Sequence, residues 1–179
     1  MLFRSDLREL DAMIEDALLA SRIESQQTLQ SVEILDLLAL AVEEGARYES
    51  TSVTGQSALV AGDERYLRRL LRNLLENARR HGRPPVEVRI RVEGPSAVLE
   101  VHDAGAGIPP AERDRIFEPF YQLHGDARGA GLGLSLVRRI VRLHGGDVQV
   151  ADVPEGACIR VRLPSAVTRD ERTCAIPRS

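Results

Sequence analysis

The chain has no lysine and no tryptophan. All 24 of its basic residues are arginine. A Walker lysine is therefore excluded, and any side-chain cation that meets phosphate must be a guanidinium, always charged and able to bind in bidentate fashion. Aromatics are scarce, with three Phe and three Tyr, so the core must be built from Leu, Val, Ile and Ala. Two cysteines are too few for a disulfide framework. Neither Cys158 nor Cys174 has metal-ligand spacing, and Cys158 falls in an expected buried strand as a core residue. No apolar run reaches membrane-spanning length and no signal peptide is visible. The chain as given is expected in the cytoplasm, with any membrane anchor upstream of it. A net charge of −3 argues against general nucleic-acid binding. Seven arginines do fall between Arg65 and Arg83, and a solvated helix face accounts for most of them.

What is present is a core-forming composition, 43% hydrophobic over 179 residues, which suits one domain with a modest appendage. Three short motifs stand in order: Asn73-Leu-Leu-Glu-Asn77, Asp103-Ala-Gly105-Ala-Gly107-Ile108 and Gly129-Ala-Gly131-Leu132-Gly133-Leu134. Leu67, Leu70, Leu71, Leu74, Leu75 and Ala78 recur at helical spacing from about Glu64 to His81. Asn73 and Asn77 sit one turn apart beside that apolar stripe. An inward amide must be satisfied, either by capping or mutual bonding or by a hard cation that takes its carbonyl oxygen. Along Ala97–Asp103 the alternation puts Asp103 on the face of Leu99 and Val101. A carboxylate there needs strong donors. The exocyclic amine of adenine is one; a turn before Pro109-Pro110 is the plainer alternative. Gly105 and Gly107 permit positive φ and a close approach to a flat ligand. The third motif opens a helical run to His144 that Gly145-Gly146 ends, and free N–H groups there suit phosphate. The glycines follow a loop and lack a βαβ setting, so a dinucleotide fold is excluded.

The rest of the chain reads as alternating short elements. Residues 4–26 form an amphipathic helix with Leu7, Leu10, Ile14 and Ala17 in heptad-like order, widened by Leu18 and Ile23. Strands are expected at Gln30–Ile34, near Ala58–Ala61, at Val86–Glu93 and Ala97–Asp103, near Asp147–Ala151 and at Ala157–Leu163, with a helix from about Leu35 to Tyr48. Val86, Val88, Ile90 and Val92 face inward. The region 110–130 reads as a mobile lid and 165–179 as a disordered tail.

The ordered motifs resemble the catalytic and ATP-binding domain of bacterial sensor histidine kinases, within the gyrase, Hsp90 and MutL ATPase superfamily. Asn73–Asn77 resembles the N box, Asp103–Gly107 and Gly129–Leu134 the two G boxes, and Phe117-Glu-Pro-Phe120-Tyr121 the F box. His144-Gly-Gly-Asp, Gly156 and Leu163-Pro164 resemble the closing strands. The match covers roughly residues 1 to 164. It implies an α+β fold, a two-layer sandwich of the Bergerat type with a mixed, mostly antiparallel sheet on helices, preceded by an N-terminal helix. Residues 1–28 would be the second helix of a dimerisation hairpin and 29–164 the ATP-binding domain.

The resemblance also implies roles. ATP and Mg²⁺ would be the ligands, with Asn77 on the metal, Asn73 near the triphosphate and Arg80 in place of a phosphate-binding lysine. His81 would stack near adenine, Asp103 would take its amine, and Ile108 would line the base pocket. Gly105, Gly107 and Tyr121 would complete the ATP site, and Gly129, Gly131, Leu132, Gly133 and Leu134 would wrap the phosphates. Asn73, Arg80 and Arg128 are the catalytic candidates. A response regulator and a homodimer through the hairpin are the implied partners. Three departures stand out. Gln122 replaces the family's frequent Arg, with Arg128 the candidate to compensate. Ala157-Cys158 takes the place of the closing Gly-Thr pair. The phosphoacceptor His context is absent from His81, His102, His124 and His144, so transfer would go to a His on another chain. A serine kinase of the anti-sigma-factor type and a non-catalytic nucleotide-binding module are the competing readings.

Overall fold

A computed structural model describes residues 31–123 and 131–166, together with Ile14, Leu18, Leu19, Ser21, Ile23, Thr28 and Leu29. The elements run β1 (Glu33–Asp36), α1 (Leu37–Gly45), β2 (Thr51–Gly55), β3 (Leu59–Gly62), α2 (Glu64–His81), β4 (Val86–Glu93) and β5 (Ser96–Asp103). Two 3₁₀ turns follow at Pro110–Glu112 and Arg115–Phe117, then α3 (Gly133–Leu143), β6 (Asp147–Val150) and β7 (Ala157–Pro164). Five strands form one sheet in the order β2-β4-β5-β7-β6. β2 and β4 are parallel and every other pair in it is antiparallel. β1 and β3 make a separate antiparallel pair. The helices cover one face of the large sheet, which is the two-layer α+β arrangement the motifs imply.

α2 is held in place by its own pattern. Asp63 caps its start, accepting from Arg65 N at 3.0 Å. Tyr66, Leu67, Leu70, Leu71, Leu74, Leu75 and Ala78 are buried along one face. Its last turn holds Arg79, Arg80 and His81, cations suited to the negative helix end. α3 buries Leu136, Val137, Ile140 and Val141 against the same core. Gly145, at φ +72°, then turns the chain, with Gly146 N bonded to Val141 O at 2.9 Å.

Charge is absorbed on both sides of this frame. Glu44 is fully buried at the α1–α2 contact. Burial pushes its carboxyl up, but Arg72 and Arg68, bonded to it at 2.8 and 3.1 Å, bring it below the usual range. On the sheet's outer face Glu100 is gripped by Arg91 and Arg160, which hold it at about 2 against the cost of burial. Among the arginines between 65 and 83, Arg65, Arg68 and Arg72 make ion pairs, Arg65 while exposed and Arg68 and Arg72 while half-buried.

Several expectations shift. The strand expected at Gln30–Ile34 is Glu33–Asp36, because Asp36 caps α1 through Leu38 N. β2 was not anticipated. Val92 keeps the face of Val86, Val88 and Ile90 but is 37% exposed beside the hairpin turn. The 110–130 region contains both 3₁₀ turns, and residues 124–130 lie outside the described residues. Ser165 N and Ala166 N are bonded to Pro95 O and Leu59 O, while 167–179 lie outside the described residues. Of the N-terminal stripe, Leu7, Leu10 and Ala17 also lie outside them; Ile14 and Leu18 are exposed, and Ile23 is buried in the core.

His144 links the two long helices. Its Nδ1 lies 2.8 Å from Ile140 O, and its Nε2 accepts from Asp63 N at 3.2 Å. Only the neutral ring with its proton on Nδ1 satisfies both. Burial lowers its pKa below 6.5. The unfolded chain therefore binds a proton that the folded chain refuses, and stability is lost as pH falls through 6.5. The urea midpoint should drop from about pH 7.5 to about pH 5.5. That drop should be smaller in His144→Gln; an identical slope in the variant would refute the assignment.

Candidate functional site

Three segments meet at one end of the α2–α3 pair. Asn73 is buried on α2, and its Nδ2 donates to Gly133 O at 3.3 Å, which fastens α2 to the start of α3. Asn77, one turn on, is half-buried, and its side chain is bonded to no described residue. A half-buried amide left open in this way fits a hard-cation or phosphate ligand. No group of three His, Cys, Asp or Glu suited to a metal occurs among the described residues. A cation here would depend on phosphate oxygens for most of its coordination, as Mg²⁺ commonly does. Arg80 and His81 are exposed at the end of α2.

Asp103 ends β5, 6% exposed. Burial raises its pKa, opposed by the N–H of Gly105, which donates to Oδ1 at 2.8 Å. Neither Gly82 nor Gly105 beside it has room for a Cβ. A Cβ on Gly82 would lie 2.3 Å from Asp103 Cγ, and one on Gly105 would lie 2.7 Å from Oδ1. Gly107 takes φ +79°, and Ile108 is half-buried against the core. Gly156 takes φ +71°, and a Cβ there would lie 1.8 Å from Asp103 O. Gly156 is followed by Ala157, which pairs with Asp103 across the strands. Cys158 instead faces the outer side, and burial raises its thiol to about 11.

The third segment opens α3. Gly131 takes φ +67°, and a Cβ there would lie 2.8 Å from both Phe120 C and Tyr121 O. Phe120 N donates to Gly131 O at 2.9 Å, so the aromatic motif and the second glycine motif are tied together. Leu132 precedes the helix with no side-chain cap, and the first turn carries no acid. Those N–H groups suit an anion. Leu134 is half-buried. Tyr121 donates to Glu112, and the Arg115 guanidinium lies 4.5 Å from its ring centre. Gln122 is half-buried. Arg128 and Gly129 lie outside the described residues. Gly82 and Glu112 were missed in the sequence, and Gly156 was read only with the closing strands, because their part is set by contacts across the fold.

A cleft of about 590 Å³ is lined by the first glycine turn, Ala104–Pro109, and by Val153–Gly156, with Arg113 on its wall. It contains none of Asn73, Asn77 and Asp103, so it adjoins the meeting point of the motifs without being it.

Residues 62–167 match the model of a family described as histidine kinase-, DNA gyrase B- and HSP90-like ATPases. The alginate biosynthesis sensor protein KinB of Pseudomonas aeruginosa is 35% identical over 174 residues, 89% of this chain and 29% of KinB. The mycobacterial sensor histidine kinase MprB shares 32% identity at a TM-score of 0.64, over 75% of this chain and 98% of the MprB chain. Full-length ShkA, solved in complex with AMPPNP, shares 26% identity at a TM-score of 0.73, over 89% of this chain and 36% of that one. The chain spans 13%, 29% and 31% of the first three curated relatives it matches.

Asp103 carries a stability cost that its ligand-free state exposes. A carboxyl whose folded pKa is raised binds its proton more tightly when folded, so stability declines as pH rises through that value. Asp103→Asn should therefore raise the thermal midpoint of the ligand-free chain at neutral pH, with the gain shrinking in acid. A lower midpoint at neutral pH would show that the charge is stabilised where it lies.

Proposed function

The chain belongs to the histidine kinase-, DNA gyrase B- and HSP90-like ATPase family and carries the ATP-binding catalytic portion found in sensor histidine kinases, and we propose that it binds Mg-ATP and gives up the γ-phosphoryl group to a histidine of another polypeptide segment. The observation that carries this reading is the convergence of an open half-buried amide at Asn77, a buried carboxylate at Asp103 and an uncapped α3 N-terminus.

Asp103 sets the base. Its carboxylate accepts the exocyclic amine of adenine, while Gly82 and Gly105 leave it accessible and Ile108 lines the ring. His81 stacks beside the base. The N–H groups that begin α3, at Gly133 and Leu134, receive phosphate oxygens, with Gly131 and Leu132 shaping the approach and Gly129 assigned to the same loop. Asn77 holds Mg²⁺, with Asn73 next to the triphosphate. The cation, when bound, neutralises phosphate charge and orients the terminal group. Arg80 adds a fixed positive charge beside the phosphates. Arg128 is the candidate to supply the charge that Gln122 lacks, and Tyr121, anchored by Glu112, shapes the lid root. Asn73 is an amide and no general base, which separates this pocket from water-activating ATPases.

The partners follow from the reading of the longer protein. A response regulator receives the phosphoryl group, and a helical hairpin joins two copies. No helix among the described residues is long and apolar enough to cross a membrane.

Calorimetry with ATP and GTP tests the base assignment. ATP should bind much more tightly, because guanine presents a carbonyl to the Asp103 carboxylate, and Asp103→Asn should abolish the preference. An unchanged ATP/GTP ratio in the variant would overturn the assignment. Asn77→Ala should cost about tenfold or more in the presence of Mg²⁺ and less with EDTA; equal losses would remove Asn77 from the metal. Incubation of the chain with labelled ATP and a separately supplied phosphoacceptor hairpin should label the hairpin. Tight ATP binding without any label would favour the non-catalytic module.

A further inference from the structure

The turn Ala104–Pro109, with Gly105, Gly107 and Ile108, forms one wall of the 590 Å³ cleft. On the side of the hollow such a glycine-bearing turn has no packed layer, while the Ile108 side chain anchors it to the core. Two features cross the hollow. Gly107 comes close to Gly156, where a Cβ would lie 2.8 Å from the Gly156 carbonyl oxygen. Arg113 reaches both walls. Its Nε donates to Ile108 O at 3.3 Å, and its terminal nitrogen donates to Asp152 Oδ1 at 3.0 Å. The far wall is itself secured, because His102 Nε2 on β5 lies 2.9 Å from Glu155 O. A continuous line of contacts thus runs from β5 through the β6–β7 loop and Arg113 to the Ile108 carbonyl.

The two bonds of Arg113 are unequal. Asp152 is 89% exposed, so that ion pair is screened and contributes little. Arg113 is 29% exposed, and Ile108 is half-buried on the core, so the bond between them is the one that restrains the turn. We infer that Arg113 is a positioning residue that holds the Ile108 turn in place for the base by bonding its carbonyl from the wall of the cleft. The inference rests on the ATP-binding reading of the same site.

The test compares Arg113→Met, which keeps the apolar stem and removes the guanidinium, with Asp152→Asn in the full chain. Dissociation constants are measured for adenosine, ADP and ATP. Arg113→Met should weaken all three by the same factor, about tenfold, the size of one lost hydrogen bond to a charged group. Asp152→Asn should stay within about twofold of the parent, as an exposed pair implies. A loss confined to ADP and ATP would mean that Arg113 meets phosphate, and no loss at all would mean that it restrains nothing; either overturns the inference. Amide hydrogen exchange guards against a general folding defect. In Arg113→Met, exchange should rise at Gly107 and Ile108 and stay unchanged in the α2 core. A uniform rise, or none, contradicts the tether. If the parent chain binds none of the three ligands, the ATP reading fails, and exchange at Gly107 and Ile108 still decides whether Arg113 restrains the turn.

Discussion

Asp103 ends the central strand with its carboxylate so close to Gly82, after α2, and Gly105, in the turn, that neither position has room for a Cβ. Gly156, before β7, is held to glycine by the Asp103 backbone carbonyl. Burying a carboxylate is costly, and the N–H groups of Gly105, Ala157 and Arg83 offset only part of that cost, so its pKa stays raised. In the proposed function the exocyclic amine of adenine supplies a further donor.

The frame that allows this is the α2–α3 contact. Asn73 crosses it by bonding Gly133 O, and His144 crosses it at the other end by accepting from Asp63 N. Two polar ties, one at each end, fix the helices along their length while Leu67, Leu70, Leu74, Val137 and Ile140 fill the interior. The start of α3 is thereby placed beside Asn73, one helical turn from Asn77, with no side-chain cap. Charges that would disturb this layer lie elsewhere. Glu44 is paired with arginines at the α1 edge and Glu100 on the sheet's outer face, both remote in character from the site.

How much of this could be read from the sequence depends on whether the cause was local. α2 was legible from its apolar stripe, whose residues are neighbours in the chain, while its cap at Asp63 and the following Gly82 were seen in the fold. β4 and β5 were legible from alternation, and the inward turn of Asp103 followed from its parity with Leu99 and Val101. β2 was not, since Thr51-Ser-Val-Thr-Gly55 has one apolar side chain and gains its strand conformation by parallel pairing with β4. Val92 misled because alternation continues past the point where the helices stop covering the sheet. The glycines about Asp103 come from three distant segments, and no spacing rule joins them. Gln122 was seen as a departure, but what surrounds it is a matter of the fold.

The central claim is that one nucleotide fills the space where α2, the end of β5 and the start of α3 meet. Amide hydrogen exchange with and without Mg-ATP tests it most directly. Binding there should slow exchange at Gly105, Gly107 and the first turn of α3, and leave the outer-face strand residues near Glu93 and Arg162 unchanged. Protection confined to the outer face, or no protection at the α3 start at saturating Mg-ATP, would contradict it.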